Sequence, residues 1–472
     1  MRQKNHSKFE RGQAIILIAA AAIGLIAMVG LMVDGGMLLI EYGRLKRAID
    51  AASLSAALQY REGYTNAELT NAAEEFLRLN QSDVFDIQVD TDTTDSSLLT
   101  SPRRKLVRVT ASRHVQFGFI SVVGIYQTDI TASSVGEAAS VDVVIVLDAS
   151  ASMAYEGGGS ATAGDDPADD PSACNSTDSC HPFREIKDVA IEFVNQLYFP
   201  YDRVAVVTFD REAHVILPLD ATDGMSGGDA RDTVVAALDD LTVFEPAQIC
   251  PDPVEGASPI THCRNYTGAG GTYSGIEYPL FRATDDPSSV PSSNIGDGLW
   301  LAGSEFGREP IRQDSLWVVI VLAGGPANTG CTTGAAHNCS GPTYADGRVC
   351  PPSTWFSPFC REGDVSAGTR HTAGSLHYDA DDYARDAADF ITNPLTGQGA
   401  TIFSIGLGNL VRLAPSGDPE AGQKLLDYAA TVAGDESGVP VNHGLYFFAP
   451  NPTELREIFR TIAENIATRI SQ

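Results

Sequence analysis

The hydrophobic positions in the first third of the chain predict a membrane segment followed by a small domain. Residues 14–33 form twenty consecutive residues without a charge, which at about 1.5 Å per residue span roughly 30 Å, the thickness of a bilayer core. Small and apolar residues then recur at helical spacing over residues 37–60 and 65–79. Alternating segments typical of half-buried strands follow at residues 105–111, 114–119 and 128–135. We therefore expect one transmembrane helix, a helical extension and an α+β stalk.

From residue 140 onward, long β-branched runs alternate with helical patterns. The runs lie at residues 141–147, 203–209, 315–323 and 400–406, and strands buried on both faces have this composition. Helical stretches are expected near residues 182–197, 228–241, 294–306, 378–393, 419–433 and 452–469. Residues 213–219 follow a short turn and contain Pro218, which predicts an antiparallel edge strand. The alternation predicts an α/β fold with a doubly wound, mainly parallel sheet and helices on both faces.

Charge sets the orientation of the chain and excludes one class of partner. Residues 1–13 carry four basic side chains against one acidic side chain, so this end is expected in the cytoplasm and the remainder outside. A cleaved signal peptide is the alternative, but the apolar run exceeds the usual roughly 7–15 residues and no cleavage site follows it. The formal net charge of −29 argues against nucleic-acid binding. The predicted segments are residues 1–13 (cytoplasmic), 14–33 (transmembrane), 34–140 (extension and stalk) and 141–472 (main domain).

The cysteines lie only in the main domain. Cys174, Cys180, Cys250, Cys263, Cys331, Cys339, Cys350 and Cys360 make up the whole set of eight. An even number beyond a membrane segment indicates disulfides in an oxidising compartment, whereas structural zinc sites use closer spacings. The sequence does not choose the pairing. The cysteines fall in three insertions at residues 155–181, 246–290 and 328–371, which we expect around the ligand-binding edge of the sheet.

A cluster of oxygen-bearing side chains follows the first buried strand. Asp148, Ser150 and Ser152 form an Asp-x-Ser-x-Ser sequence in the loop where a doubly wound sheet has its ligand crevice. One carboxylate and two hydroxyls are hard ligands that suit Mg²⁺ or Mn²⁺.

This motif resembles the metal-ion-dependent adhesion site (MIDAS) of von Willebrand factor A (vWA) domains. The resemblance extends over about residues 141–465 and includes Asn-Ile-Gly-Asp at residues 294–297. It implies that Ser293 supplies a further hydroxyl and that Gly324 stands where the family has a second Asp. The site would therefore have one carboxylate, so either Mg²⁺ or Mn²⁺ binds weakly or the loop is kept without a metal. A glycine-rich turn at residues 270–275 is a weaker candidate for the Ser293 position.

The N-terminal region resembles a second family. Glu-Arg-Gly-Gln at residues 10–13, the apolar run, Val-Asp-Gly-Gly at residues 33–36 and the small residues up to Ala57 are similar to TadG-like proteins of Tad/Flp pilus assembly. Leu17 stands where type IV pilins carry a Glu, so pilin-type cleavage and polymerisation are not expected.

These features predict a binding protein and not an enzyme. The chain has no nucleophile elbow, Walker A loop, HExxH motif or kinase motif. The leading hypothesis is an anchored extracytoplasmic vWA module, in the cell membrane, that binds pilus-assembly proteins. The alternatives are a MIDAS-type surface adhesin that binds a carboxylate-bearing ligand, and a structural envelope scaffold without metal.

Overall fold

The structure, a computed structural model, divides the chain into two compact units. The first comprises residues 1–139 and the second residues 140–472. The described residues are 10–60, 65–154, 171–210, 213–243, 262–264, 277–279, 293–327, 370–372, 378–413 and 419–470.

One long helix dominates the first unit. Helix α1 (Glu10–Leu58) joins the predicted membrane span and its extension without a break, even though Gly35 and Gly36 lie between them. Helix α2 (Asn66–Asn80) begins at Thr65, whose hydroxyl accepts from the backbone N–H of Glu68 while the Glu68 carboxylate accepts from the Thr65 N–H. This reciprocal cap satisfies two backbone donors that the first turn would otherwise leave open.

A three-stranded antiparallel sheet packs against these helices. It contains β1 (Val84–Thr91), β2 (Lys105–Gln116) and β3 (Gln127–Ala138) in that order. The segments predicted separately at residues 105–111 and 114–119 form the single strand β2, which ends at Gln116, because its pairing with β3 continues unbroken to Gln127. Gly136 allows the sheet to approach α1 closely: a Cβ there would lie 2.3 Å from the carbonyl oxygen of Ser53.

The second unit is built on a six-stranded mixed sheet. Its strands are β4 (Val141–Asp148), β5 (Arg203–Phe209), β6 (Ala213–Leu217), β9 (Leu316–Ala323), β10 (Thr401–Leu407) and β11 (Tyr446–Ala449). Two further short strands, β7 (His262–Arg264) and β8 (Glu277–Pro279), pair separately. The spatial order is β11-β10-β9-β4-β5-β6, with β6 antiparallel at one edge and the other strands parallel. This is the doubly wound order, and the direction of winding reverses between β4 and β9.

Helices cover both faces of this sheet. They are α3 (Pro171–Thr177), α4 (Phe183–Val194), α5 (Gly227–Asp239), α6 (Ile295–Glu305), α7 (Ala380–Thr392), α8 (Leu410–Leu413), α9 (Ala421–Thr431) and α10 (Leu455–Ile470). Val143 and Ile145 of β4 share one core with α4, α5 and α10, whereas Val144 and Val146 share another with α6, α7 and α9. Because successive residues of a strand point to opposite faces, an unbroken run of apolar residues serves both cores. The α/β prediction is confirmed.

Buried charges brace the amino-terminal edge of the sheet. The fully buried carboxylate of Asp142 accepts from Arg203 Nε at 3.1 Å and Nη2 at 2.7 Å, and it also pairs with Arg312. Arg312 Nη1 donates in addition to the carbonyl oxygen of Tyr201 at 2.6 Å. This network lies at the end of β4 opposite Asp148, so it supports the fold and takes no part in the candidate site.

Candidate functional site

The candidate site lies where the sheet reverses its direction of winding. Leu147 of β4 pairs with Leu322 of β9, and the two strands end side by side at Asp148 and Ala323. Diverging connections leave a crevice at the carboxyl ends of such strands, and ligands of doubly wound folds bind there. The fold therefore places the Asp-x-Ser-x-Ser loop at this crevice.

Backbone donors hold the carboxylate of Asp148. Oδ1 accepts from the N–H of Ser150 at 3.0 Å, and Oδ2 accepts from the N–H of Gly324 at 2.9 Å. Asp148 and Ser150 are both buried, and the Ser150 side chain also hydrogen-bonds to the carboxylate. The carboxylate thus joins the loop after β4 to the loop after β9.

The electrostatic environment of Asp148 disfavours its charge. Burial, the largest cause, raises the pKa of Asp148, and hydrogen bonds from Gly324 and Ser150 oppose the rise only in part. The negative charge of Asp210 raises the pKa further. A cation bound at this position would offset both effects, because it stabilises the ionised carboxylate.

Asp210 is a site residue that the sequence analysis missed. It directly follows β5, the strand beside β4, and its carbonyl oxygen accepts from the N–H of Asn294 at 2.8 Å. That bond fixes the start of α6, and with it the buried Ser293, to the end of β5. The signal was available, since Asp210 follows a buried strand just as Asp148 does.

Asp297 belongs to the start of α6. Its N–H donates to Oδ1 of Asn294 at 3.1 Å, and its carboxylate accepts from Asn294 Nδ2 at 2.6 Å and from the hydroxyl of Tyr383. These bonds cap the helix and tie α6 to α7.

Met153 fills the space beside Gly324. A Cβ on Gly324 would lie 2.0 Å from Met153 Cε and 3.7 Å from Asp148 Oδ2. Met153 is buried in the 3₁₀ turn at residues 151–154, which also contains the backbone of Ser152; the side chain of Ser152 lies outside the described part of the structure. The thioether therefore occupies the place that a second acidic side chain would need.

An open groove adjoins the site on the β5–β6 side. It has a volume of about 500–600 Å³, and Ala149, Thr208, Asp210, His214, Asp240 and Leu241 contribute to its walls. Among the residues that the structure describes, no group of three or more His, Cys, Asp or Glu side chains could hold a metal. Any metal here would depend on hydroxyl and water ligands around Asp148.

One disulfide lies in the described residues. Cys174 of α3 is bonded to Cys180, with the two Cα atoms 4.7 Å apart, and both side chains pack into the core on the α4 face. Asn175 fixes the same segment to Val243 by two hydrogen bonds, at 2.7 and 2.9 Å. The side chain of Cys263 and the residues Cys250, Cys331, Cys339, Cys350 and Cys360 lie outside the described structure, as does the turn at residues 270–275.

Remote likenesses exist among solved structures. The PilB minor pilin from Streptococcus sanguinis is 13% identical and aligns over 82% of this chain and 79% of that chain, with a TM-score of 0.37. The vWF domain of the type V pili tip protein Mfa5 from Porphyromonas gingivalis is 16% identical over 71% and 97%, with a TM-score of 0.36. The proximal thread matrix protein 1 from the mussel byssus, with a zinc-occupied MIDAS motif, is 15% identical over 70% and 46%, with a TM-score of 0.32.

No protein-family model and no curated protein sequence matches the chain. Identities and TM-scores as low as those of the solved structures carry no argument for function. The functional reasoning therefore rests on the residues and geometry of this chain.

Proposed function

We propose that this chain is a membrane-anchored binding protein whose second unit recognises a protein partner at the carboxyl edge of its sheet. Its arrangement is that of a vWA module, and its role is the assembly or anchoring of a Tad/Flp-type pilus. The observation that carries the binding proposal is Asp148, a buried carboxylate at the winding reversal that is held by the N–H groups of Ser150 and Gly324. The TadG-like N-terminal sequence supports the pilus role.

The anchor is α1. It is the one described helix long and apolar enough to cross a membrane, with a mean hydropathy of 2.8 in its most apolar window, of which 6% is buried. Some signal sequences also form an apolar helix near the N-terminus, so the anchor belongs to the proposal. The basic residues before the span favour a cytoplasmic N-terminus and an extracytoplasmic second unit.

The residues at the crevice fit a hard divalent cation. Mg²⁺ or Mn²⁺ would be held by Asp148 and by the hydroxyls of Ser150, Ser152 and Ser293, and it would offer an open coordination position to an acidic side chain of the partner. One observation supports the fit: Asp210 adds negative potential at the carboxylate of Asp148. With Gly324 in place of an acid, the cation would be bound weakly and partner binding would strengthen its retention.

A thermal-shift titration of the full-length protein with Mg²⁺ and Mn²⁺ tests the metal. We expect a concentration-dependent rise in melting temperature that Ser150→Ala abolishes. Ser304→Ala is the matched control, because Ser304 is exposed on α6 and its hydroxyl donates to the Trp300 carbonyl oxygen, away from the candidate site. If the parent protein shows no rise with either ion, the metal-dependent version is wrong.

The absence of a metal would favour a structural scaffold, since Met153 already fills the space beside Gly324. In-cell cross-linking followed by mass spectrometry then identifies the partner. Pilus-assembly proteins should dominate the cross-linked products, and deletion of the chain should reduce piliation. Cross-links mainly to host or matrix proteins, with normal piliation, would instead indicate an adhesin.

A further inference from the structure

The connection between β2 and β3 is an uncharged, apolar loop. Residues 117–126, here called the β2–β3 tip, read Phe-Gly-Phe-Ile-Ser-Val-Val-Gly-Ile-Tyr. Four of the large side chains are exposed: Phe119 by 49%, Val122 by 88%, Ile125 by 52% and Tyr126 by 70%. Contiguous apolar exposure of this kind marks a surface that contacts a partner or a membrane.

The tip is fixed to helix α1. The buried carboxylate of Asp34 accepts from the N–H groups of Gly118 at 3.0 Å, Phe119 at 2.9 Å and Ile120 at 2.6 Å. One turn earlier in α1, a Cβ on Gly30 would lie 2.6 Å from the Cβ of Phe119, so only glycine leaves room for this contact. The position of the tip along α1 is therefore defined.

That position lies within the apolar run of α1. Gly30 lies four residues before Asp34, and Ile23 lies eleven residues before it. At about 1.5 Å per residue, these separations are about 6 Å and about 16 Å along the helix. Ile23 and Leu31 of α1 line a common apolar cavity of about 360 Å³ with Phe119 and Val122 of the tip. The tip thus runs beside the segment of α1 that the proposed function places in the bilayer.

Hydrogen bonds engage six of the ten backbone N–H groups of the tip. Asp34 accepts three N–H groups, and further bonds run from Phe117 N to Tyr126 O at 2.8 Å, from Val122 N to Phe119 O at 3.2 Å, from Gly124 N to Ser121 O at 3.1 Å and from Ser121 Oγ to Gly118 O at 2.6 Å. Non-helical backbone in hydrocarbon is tolerated only when its donors and acceptors are satisfied. These bonds lower the cost of placing the tip in lipid, because each one removes a backbone donor that hydrocarbon could not satisfy.

The residues that flank the tip become polar in the expected order. Tyr126 lies at its end, followed by Gln127 and, on the facing strand, Gln116. The first pair of ionisable side chains, His114 and Asp129, comes two residues further along the strands. Aromatic residues with a polar end favour the membrane–water interface. The gradient from apolar tip to Tyr to charge therefore matches a hairpin that enters a bilayer from one side.

We infer that the β2–β3 tip is a second membrane element, which inserts into the lipid leaflet nearest Asp34, beside α1. The occupant of its exposed apolar face is lipid. Continuity with the exposed apolar surface of α1 argues for lipid over a protein partner, because both surfaces face the same medium at the same depth. The inference rests on the proposed membrane anchor.

Tryptophan quenching in nanodiscs with brominated phosphatidylcholine tests this inference on the full-length protein. Val122→Trp places the probe at the tip, and Leu25→Trp, 65% exposed at wild type, places one in the span of α1. Leu79→Trp is the matched control, since Leu79 is 80% exposed. It lines a groove with Gln59, which follows the end of α1 that is remote from the apolar run. The three native tryptophans contribute equally to all variants and are subtracted with the parent protein.

We expect the bromines to remove most of the added fluorescence of Val122→Trp and Leu25→Trp, and little of that of Leu79→Trp. Quenching of Leu25→Trp without quenching of Val122→Trp would overturn the tip insertion and leave the anchor intact. If neither probe is quenched, the membrane anchor itself is wrong. A blue-shifted but unquenched Val122→Trp would show that protein, such as a second copy, covers the tip in place of lipid.

Discussion

Restoring an acid at position 324 should turn the candidate site into a stronger cation site. The change is Gly324→Asp combined with Met153→Ala, because Met153 Cε lies 2.0 Å from where the new Cβ would be. The same Cβ would lie 3.7 Å from Asp148 Oδ2, so the second carboxylate is placed directly beside the first.

The magnitude follows from the two charges. Two unit charges about 4 Å apart at an effective dielectric constant of 20 repel by about 4 kcal/mol, which is an upper limit for the loss of unfolding free energy without metal. A divalent cation neutralises the pair, and at 100 times its Kd a bound ligand stabilises a protein by about 2.7 kcal/mol. The variant should therefore be less stable than its control in EDTA and recover most of that loss in Mg²⁺.

Melting temperatures in EDTA and in millimolar MgCl₂ measure both effects. Met153→Ala alone is the control, since it removes the thioether without adding a charge. If the double variant responds to Mg²⁺ no more than Met153→Ala does, the carboxylate of Asp148 does not face a cation position, and the MIDAS interpretation of this crevice fails.

Three further predictions concern the two units. Asp142→Ala removes the buried carboxylate that pairs with Arg203 and Arg312 and leaves Arg203 only Asp223, at 3.4 Å, so it should reduce the free energy of unfolding by about 3–5 kcal/mol in denaturant titrations. Burial and then the charge of Asp379 raise the pKa of Asp382 from 3.8 to about 8. Protonated Asp382 therefore contributes to the stability of the folded state fully below pH 3.8, and this contribution is lost as the pH rises to about 8. In Asp382→Asn, the melting temperature should fall less across this pH range than in the parent protein. Gly136→Ala should destabilise the first unit by about 1–3 kcal/mol in detergent melts, and an unchanged melt would show that α1 and β3 do not approach closely.

The main sheet could be predicted from sequence because its signal is redundant. Residues 143–147 of β4 alternate between two cores, so this stretch is wholly apolar, and the predicted strand lacks only the terminal Asp148. Strand β11 escaped prediction because it has four residues, three of them half-buried, and a pattern that short is not distinctive. Helix α1 continues through Gly35 and Gly36 because glycine weakens a helix without ending it.

The site was predictable only where a motif marks it. Asp148 and Ser150 follow from the spacing of the loop, whereas Asp210 reaches the same crevice from a neighbouring strand and no spacing links the two. The contact of Met153 with Gly324 depends on how two loops pack, which hydrophobic periodicity does not encode. Sequence therefore indicates which loop reaches the crevice, and the packing decides how much room a ligand would have there.

The attachment of Asp34 to the loop between β2 and β3 has a mechanical consequence. Three hydrogen bonds join a point on α1 to the end of a hairpin whose twelve-residue strands pair along their full length. A force on either strand is transmitted to α1 at Asp34 as well as along the helix axis. The helix and the hairpin therefore tilt and rotate only as one body. In the proposed role at a pilus, this attachment would hold α1 against torque, because a lone helix in fluid lipid turns freely about its axis.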